Sequence, residues 1–206
     1  MAESQVSICN LALSLVGSST ILAIDDGSEE ARICDVFFDS TRREILGRDL
    51  WKFSRKRAAL AAHTTAPVWG YDNAFAKPSD CISVFAVDGG SRYAREPRWV
   101  VEGDYVFANA SAPLNILYST DITDVSKFPP VFVMYLAHRI ALYICEAQTE
   151  KAGLHDRLEV SAERLFMDAM ANDAIQSIES LESDGDWITS RFGYGGTDPT
   201  VIWSDA

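Results

Sequence analysis

Residues 41 to 60 read TRREILGRDLWKFSRKRAAL, and they set two opposed signals side by side. The stretch carries Arg42, Arg43, Arg48, Lys52, Arg55, Lys56 and Arg57 against only Glu44 and Asp49, a local charge of +5 inside a chain of net charge -12. Its periodicity changes half-way. Phe38, Thr41 and Ile45 recur at helical spacing, whereas Trp51 and Phe53 alternate with Lys52 and Ser54 as in a half-exposed strand. Gly47 sits near the change, where a residue tolerant of positive φ ends a helix. The stretch is therefore expected to be one helix running into one strand through a basic, aromatic join. In the bland reading it is a solvated charged face with two core aromatics.

Upstream, Ser4 is a good N-cap for a first helix to about Val16, with Val6, Cys9, Leu13 and Val16 on one face and Ile8, Ala12 and Leu15 on a second. Asp25-Asp26-Gly27 reads as a turn, which explains the paired carboxylates better than a metal site or an acid/base pair. Ser28 then caps a second helix whose stripe is Ala31, Cys34, Phe38, Thr41 and Ile45, with Glu29 and Glu30 at its positive end.

Downstream the pattern turns to strands. Ile82 to Val87, Trp99 to Val101, Tyr105 to Phe107 and Leu114 to Tyr118 are expected strands, with turns at Asp88-Gly89-Gly90 and Glu102-Gly103-Asp104. Val125-Ser126 and Pro129-Pro130 open a third helix with Val133, Leu136, Ala137, Ile140 and Ile144 in its core stripe, interrupted at Gly153. A fourth, from Leu154 to about Glu182, carries Leu158, Ala162, Leu165 and Ala169 on one face and would be on the order of 40 Å long. The expected fold is α+β: a bundle of about four helices in residues 1–183, with a small antiparallel β element inserted at about 51–118. Residues 184–206 are expected to form an extended, partner-binding C-terminal arm. The arm mixes four glycines with Trp187, Phe192, Tyr194 and Trp203, a composition that orders on a partner or packs on its own domain.

Several classes of function are disfavoured. The most apolar run, Phe128 to Cys145, is broken by His138 and Arg139 and is too polar to span a bilayer. MAESQVSICN lacks the basic region of a secretory signal, so the protein is expected to stay where it is made. Cys9, Cys34, Cys81 and Cys145 are too scattered for a zinc site and read as free thiols in a reducing compartment. His63, His138 and His155 stand alone. Gly193-Tyr194-Gly195-Gly196 lacks the Lys and Ser or Thr of a phosphate loop. Neither an enzyme nor any cofactor is expected.

The words WKFSRKRAAL, Gly70-Tyr71, Ala74-Phe75-Ala76 and Pro78-Ser79-Asp80-Cys81 follow one another in an order that resembles the tail tubular protein A family, the head-to-tail adaptors of short-tailed bacteriophages. The resemblance extends to Ile8-Cys9-Asn10-Leu11-Ala12-Leu13, Thr41-Arg42-Arg43-Glu44-Ile45-Leu46 and Pro113-Leu114-Asn115-Ile116, covering most of residues 5 to 150. It implies a virion protein of the phage tail, assembled in the host cytoplasm as a ring of twelve copies between the portal protein and the tail nozzle protein. Genome DNA would pass through the ring without specific binding, and no membrane would be involved. Within that expectation the basic segment is a subunit contact, through Arg42, Arg43, Lys52, Arg55 and Arg57. It would meet the acidic region from Asp121 onward, which holds 15 acidic and 6 basic residues. The arm, through Trp187, Phe192, Tyr194 and Trp203, would grip the portal. The alternatives are a nucleic-acid-binding module using residues 42–57 and, least favoured, a hydrolase built on scattered Asp and His.

Overall fold

The computed structural model describes residues 4–87, 90–91, 99–148 and 152–175. The chain divides into two units, Met1–Asp173 and Ala174–Ala206. The expected arm, 184–206, and the end of the expected fourth helix lie outside the described residues, as do Asp88 and Gly89 of one expected turn.

The first unit is α+β, with four helices and two small antiparallel sheets. Helix α1 is Gln5–Val16; Ser4 and Ser7 each accept the other's backbone N–H at its start, and Gly17 closes its end at φ 76°. Helix α2 is Glu29–Arg48, capped by Ser28. The Asp26 carboxylate accepts from the backbone N–H (2.9 Å) and hydroxyl of Ser28, so it builds the turn into this cap. Helix α3 is Pro130–Gln148 and α4 is Ala152–Ile175. Gly153, expected to interrupt the third helix, lies in the first turn of α4. Helices α1 and α2 both pack on α3. Their apolar stripes, with Leu158, Ala162 and Ala169 of α4, form one continuous core.

Strands β1 (Arg55–Leu60), β7 (Leu114–Thr120), β3 (Cys81–Val87) and β4 (Gly90–Ser91) make one sheet in the order β1-β7-β3-β4. Strands β2 (Asn73–Ala76), β6 (Tyr105–Ala108) and β5 (Trp99–Glu102) make the second, in the order β2-β6-β5. A two-residue turn at Gly103-Asp104 joins β5 to β6, and Gly103 takes it at φ 58°. Leu60, Phe75, Val84, Val87, Val106, Leu114, Ile116 and Tyr118 form a core separate from that of the helices. One inserted sheet was the expectation. Two are present because the first and last strands of the insert pair with each other (Arg55 opposite Ser119, Leu60 opposite Leu114) and leave β2, β5 and β6 to pair among themselves.

The join in residues 41–60 also differs from the strand expected at Trp51 and Phe53. Lys52–Ser54 is a single 3₁₀ turn, and β1 begins only at Arg55. At three residues per turn, Trp51 and Ser54 fall on one side and are both buried, so Ser54, expected to face outward, lies inside while Phe53 is only half-buried. Trp51 belongs to the helical core. Its indole N–H donates to the Ile45 carbonyl at 2.9 Å, and its ring meets Phe132 edge-on at 5.2 Å and Phe166 at 6.2 Å. Gly47 does not end α2. It lies inside the helix, where an added Cβ would come within 3.1 Å of Ile82 Cγ2, so its smallness admits β3.

Ser119 of β7 donates to the Leu46 carbonyl at 2.7 Å and lies 3.0 Å from the Ser54 hydroxyl, whose own proton faces Ser119 and the Trp51 carbonyl (3.1 Å). These buried contacts fasten the first sheet to the end of α2. Trp51→Ala is therefore expected to cost about 3–5 kcal/mol in a urea unfolding experiment, through the cavity it leaves and the orphaned Ile45 carbonyl. A change below about 1 kcal/mol would mean that Trp51 is not the anchor of the join.

Candidate interaction surface

The seven basic residues of the 41–60 stretch meet different fates. Arg42 is buried; it donates to Asp121, to the Ile122 carbonyl at 2.7 Å and to Asp39 at 3.2 Å. Arg43 lies 3.6 Å from the other Asp121 oxygen. Arg48 donates to the Tyr135 hydroxyl at 2.7 Å, pairs with Glu163 at 3.3 Å and stacks over Phe166 at 4.1 Å. The backbone N–H of Lys52 donates to the Asp173 carboxylate at 3.1 Å, and its ammonium reaches the Asp173 carbonyl. Lys56 pairs with Asp80 at 2.7 Å. The acidic Glu44 is engaged too, by Arg139 at 2.6 Å and the Tyr143 hydroxyl at 2.8 Å.

Arg55 and Arg57 are the exception. Both are exposed on β1, the outermost strand of its sheet, and no ion pair ties either of them among the described residues. Of the five residues expected at a subunit contact, Arg42, Arg43 and Lys52 thus have partners within their own chain, and Arg55 and Arg57 remain as outward charges. The complementarity between the basic segment and the acidic region from Asp121 onward is met in part inside one chain, by Asp121, Glu163 and Asp173. Sequence cannot show this, because the partners lie some 79 to 121 residues away.

Asp80, in the turn between β2 and β3, collects Lys56, the Tyr118 hydroxyl (3.1 Å) and the Thr120 hydroxyl (2.9 Å). The Lys56 hydrogen bond, with smaller help from Thr120 and Tyr118, holds its carboxyl below the usual carboxylate range.

A second surface escaped the sequence reading. The loop between β1 and β2 exposes Val68 (98%) and Trp69 (86%), and with β5 and β6 it walls an open groove of about 520 Å³. Aromatic rings line it: His63 stands edge-on to Tyr105 at 5.1 Å, Tyr105 lies 6.2 Å from Phe107, and Phe107 lies 6.4 Å from Tyr71. Glu102 forms part of its wall, and Asp72 and Asp104 adjoin lining residues. The loop has no apolar period, so only the Val-Trp pair between Pro67 and Gly70 could have signalled it.

The chain matches no family model, and no curated protein matches it in a sequence search. The remaining expected site residues, Trp187, Phe192, Tyr194 and Trp203, lie outside the described residues. The four cysteines are free; Cys9, Cys34 and Cys145 are buried, and Cys81 is half-buried. His138 bonds the Met134 carbonyl at 2.8 Å, and His155 lies 3.1 Å from Glu146. Among the described residues no three metal-binding side chains cluster, and no helix is long and apolar enough to cross a membrane.

Arg42→Ala, which leaves the half-buried Asp121 with one distant partner, is expected to lower stability by about 3 kcal/mol. Arg57→Ala should change it by less than about 0.5 kcal/mol in the same denaturant series. The folded pKa of Asp80 lies below its unfolded value of about 3.9. Its stabilising contribution is therefore complete above that pH and is lost as pH falls through the folded value. Asp80→Asn should flatten the acid limb of stability measured against pH; an unchanged limb would show that the Asp80 cluster does not set it.

Proposed function

We propose that this chain is a structural virion protein, a head-to-tail adaptor whose copies form a ring joining the portal to the tail nozzle and extending the DNA channel. What supports the reading is the ordered set of words that resembles the tail tubular protein A family, together with where those words fall. Ile8-Cys9-Asn10-Leu11-Ala12-Leu13 supplies much of the buried side of α1. Residues 41–46 hold Arg42, Ile45 and Leu46 in the core, and Trp51 anchors the join. Pro78-Ser79-Asp80-Cys81 carries the Asp80 cluster, and Leu114 and Ile116 lie in the core of the sheets. The resemblance thus includes residues of the core, beside exposed ones such as Arg55, Lys56 and Arg57.

In this reading the work is mechanical. The helices form a bundle that carries the β element, and twelve copies stack on the portal. The arm, 184–206, grips the portal through Trp187, Phe192, Tyr194 and Trp203, each aromatic contact being modest and multiplied around the ring. Subunit contact through the basic strand narrows to Arg55 and Arg57. The nucleic-acid alternative is weakened by the same geometry: five of the seven cations of residues 42–57 already face partners within the chain, and a phosphate-binding face needs clustered free charge.

Mixing the purified protein with portal rings and imaging by electron microscopy tests the reading. Added twelvefold density on the tail side of the portal is expected, and its loss when residues 184–206 are deleted. Bare portals after incubation with the folded full-length chain would refute the adaptor assignment.

A further inference from the structure

The aromatic groove and the free arginines have complementary chemistry. The groove offers ring faces at Tyr71, Tyr105 and Phe107, an exposed indole at Trp69 and a carboxylate at Glu102. Glu102, Asp104 and Asp72 are all exposed, and none makes an ion pair among the described residues. Aromatic faces beside unpaired carboxylates suit a guanidinium, which stacks on a ring while its fork donates to an acid. Arg48 already stacks on Phe166 within this chain. An exposed tryptophan and valine at the mouth add apolar area open to a partner.

Within residues 41–60, two guanidinium groups make no ion pair among the described residues. Arg55 and Arg57 stand two residues apart on β1, so they project on the same side of the strand at a spacing of about 7 Å. Tyr105 and Phe107 are likewise two residues apart on β6, with ring centroids 6.2 Å apart. The spacing of the donors therefore matches that of the receiving rings. Three consecutive charges on an outer strand also discourage pairing through the backbone ladder, which favours contact through side chains.

We propose that the groove walled by the β1–β2 loop and the β5–β6 hairpin is a docking site for a second copy of this chain, which inserts Arg55 and Arg57 over Tyr105 and Phe107 and against Glu102. The two surfaces are different patches of one chain. Contact between copies is then heterologous, and repetition of it closes into a ring or runs on as a filament. The proposal deepens the adaptor reading, since it names the residues through which ring neighbours meet.

The test uses the full-length chain with a photo-crosslinking amino acid in place of Trp69, mixed with an isotope-labelled copy so that crosslinks between copies are distinguished by mass. Crosslinks from position 69 to residues 55–60 of the other copy are expected. Their yield should fall by about tenfold or more with either Arg55→Glu/Arg57→Glu or Glu102→Arg/Asp104→Arg. It should recover when the two reversed variants are mixed, because the unaltered arginines of one variant then meet the unaltered groove of the other, and the two reversed patches also carry opposite charges. Unchanged thermal melting of both exposed-residue variants checks that folding is intact. Crosslinks between copies that map elsewhere, an absence of any across a concentration series, or no recovery on mixing would overturn the proposal. Portal attachment seen without these crosslinks removes the groove contact and leaves the adaptor reading standing. The crosslinks without portal attachment do the reverse.

Discussion

The hydrogen bond from the Trp51 indole to the Ile45 carbonyl is the constraint on which the rest of the first unit depends. It folds the chain back on the last turn of α2 at the point where helix must become strand, and it does so inside a cluster of Phe53, Phe128, Phe132, Tyr135 and Phe166. Once Trp51 is seated, Ser54 faces Ser119 and β1 leaves in register with β7. Arg48 and Lys52, on either side of Trp51, then reach Glu163 and Asp173 of α4. Helices α2, α3 and α4 and the first sheet thus share one fastening, built from residues 45 to 54.

The charge reversal in this segment is explained by the same geometry. A run of cations in an acidic chain has many carboxylates within reach once the chain folds: Arg42 and Arg43 share Asp121, Arg48 and Lys52 reach Glu163 and Asp173 of α4, and Lys56 meets Asp80. The pairs differ in worth. The exposed ones contribute little, whereas Arg42, held by an acid and a backbone carbonyl in the core, is costly to remove because its partners would be left behind. What this segment leaves for the outside is a pair of arginines at a sheet edge, opposite in chemistry to the aromatic groove beside Glu102.

The helices were legible because their signals are local: Ser4 and Ser28 cap, Gly17 ends, and the apolar stripes repeat at helical spacing. The α+β class was legible for the same reason. The division of the strands into two sheets was not, since pairing Arg55–Leu60 with Leu114–Thr120 is a contact across more than fifty residues that no period encodes. Trp51 and Phe53 misled because four residues are too short a run to reveal a period of three, and nothing in the sequence shows that the polar Ser54 is buried beside Trp51. Arg42 looked like its neighbour Arg43, although one is buried and the other exposed. Trp69 carried no periodic signal, so the groove became visible only when β5 and β6 were placed beside its loop.

The central claim is that residues 42–57 spend their charge on the chain's own fold and leave two arginines free. Titration of duplex DNA across a salt series tests it most directly, because each phosphate neutralised adds about 0.9 to the slope of log affinity against log salt. The account predicts weak binding with a slope of about −2 or shallower, since Arg55 and Arg57 alone are at hand. Tight binding at physiological salt with a slope near about −6 would mean that the whole segment faces phosphate, and would contradict it.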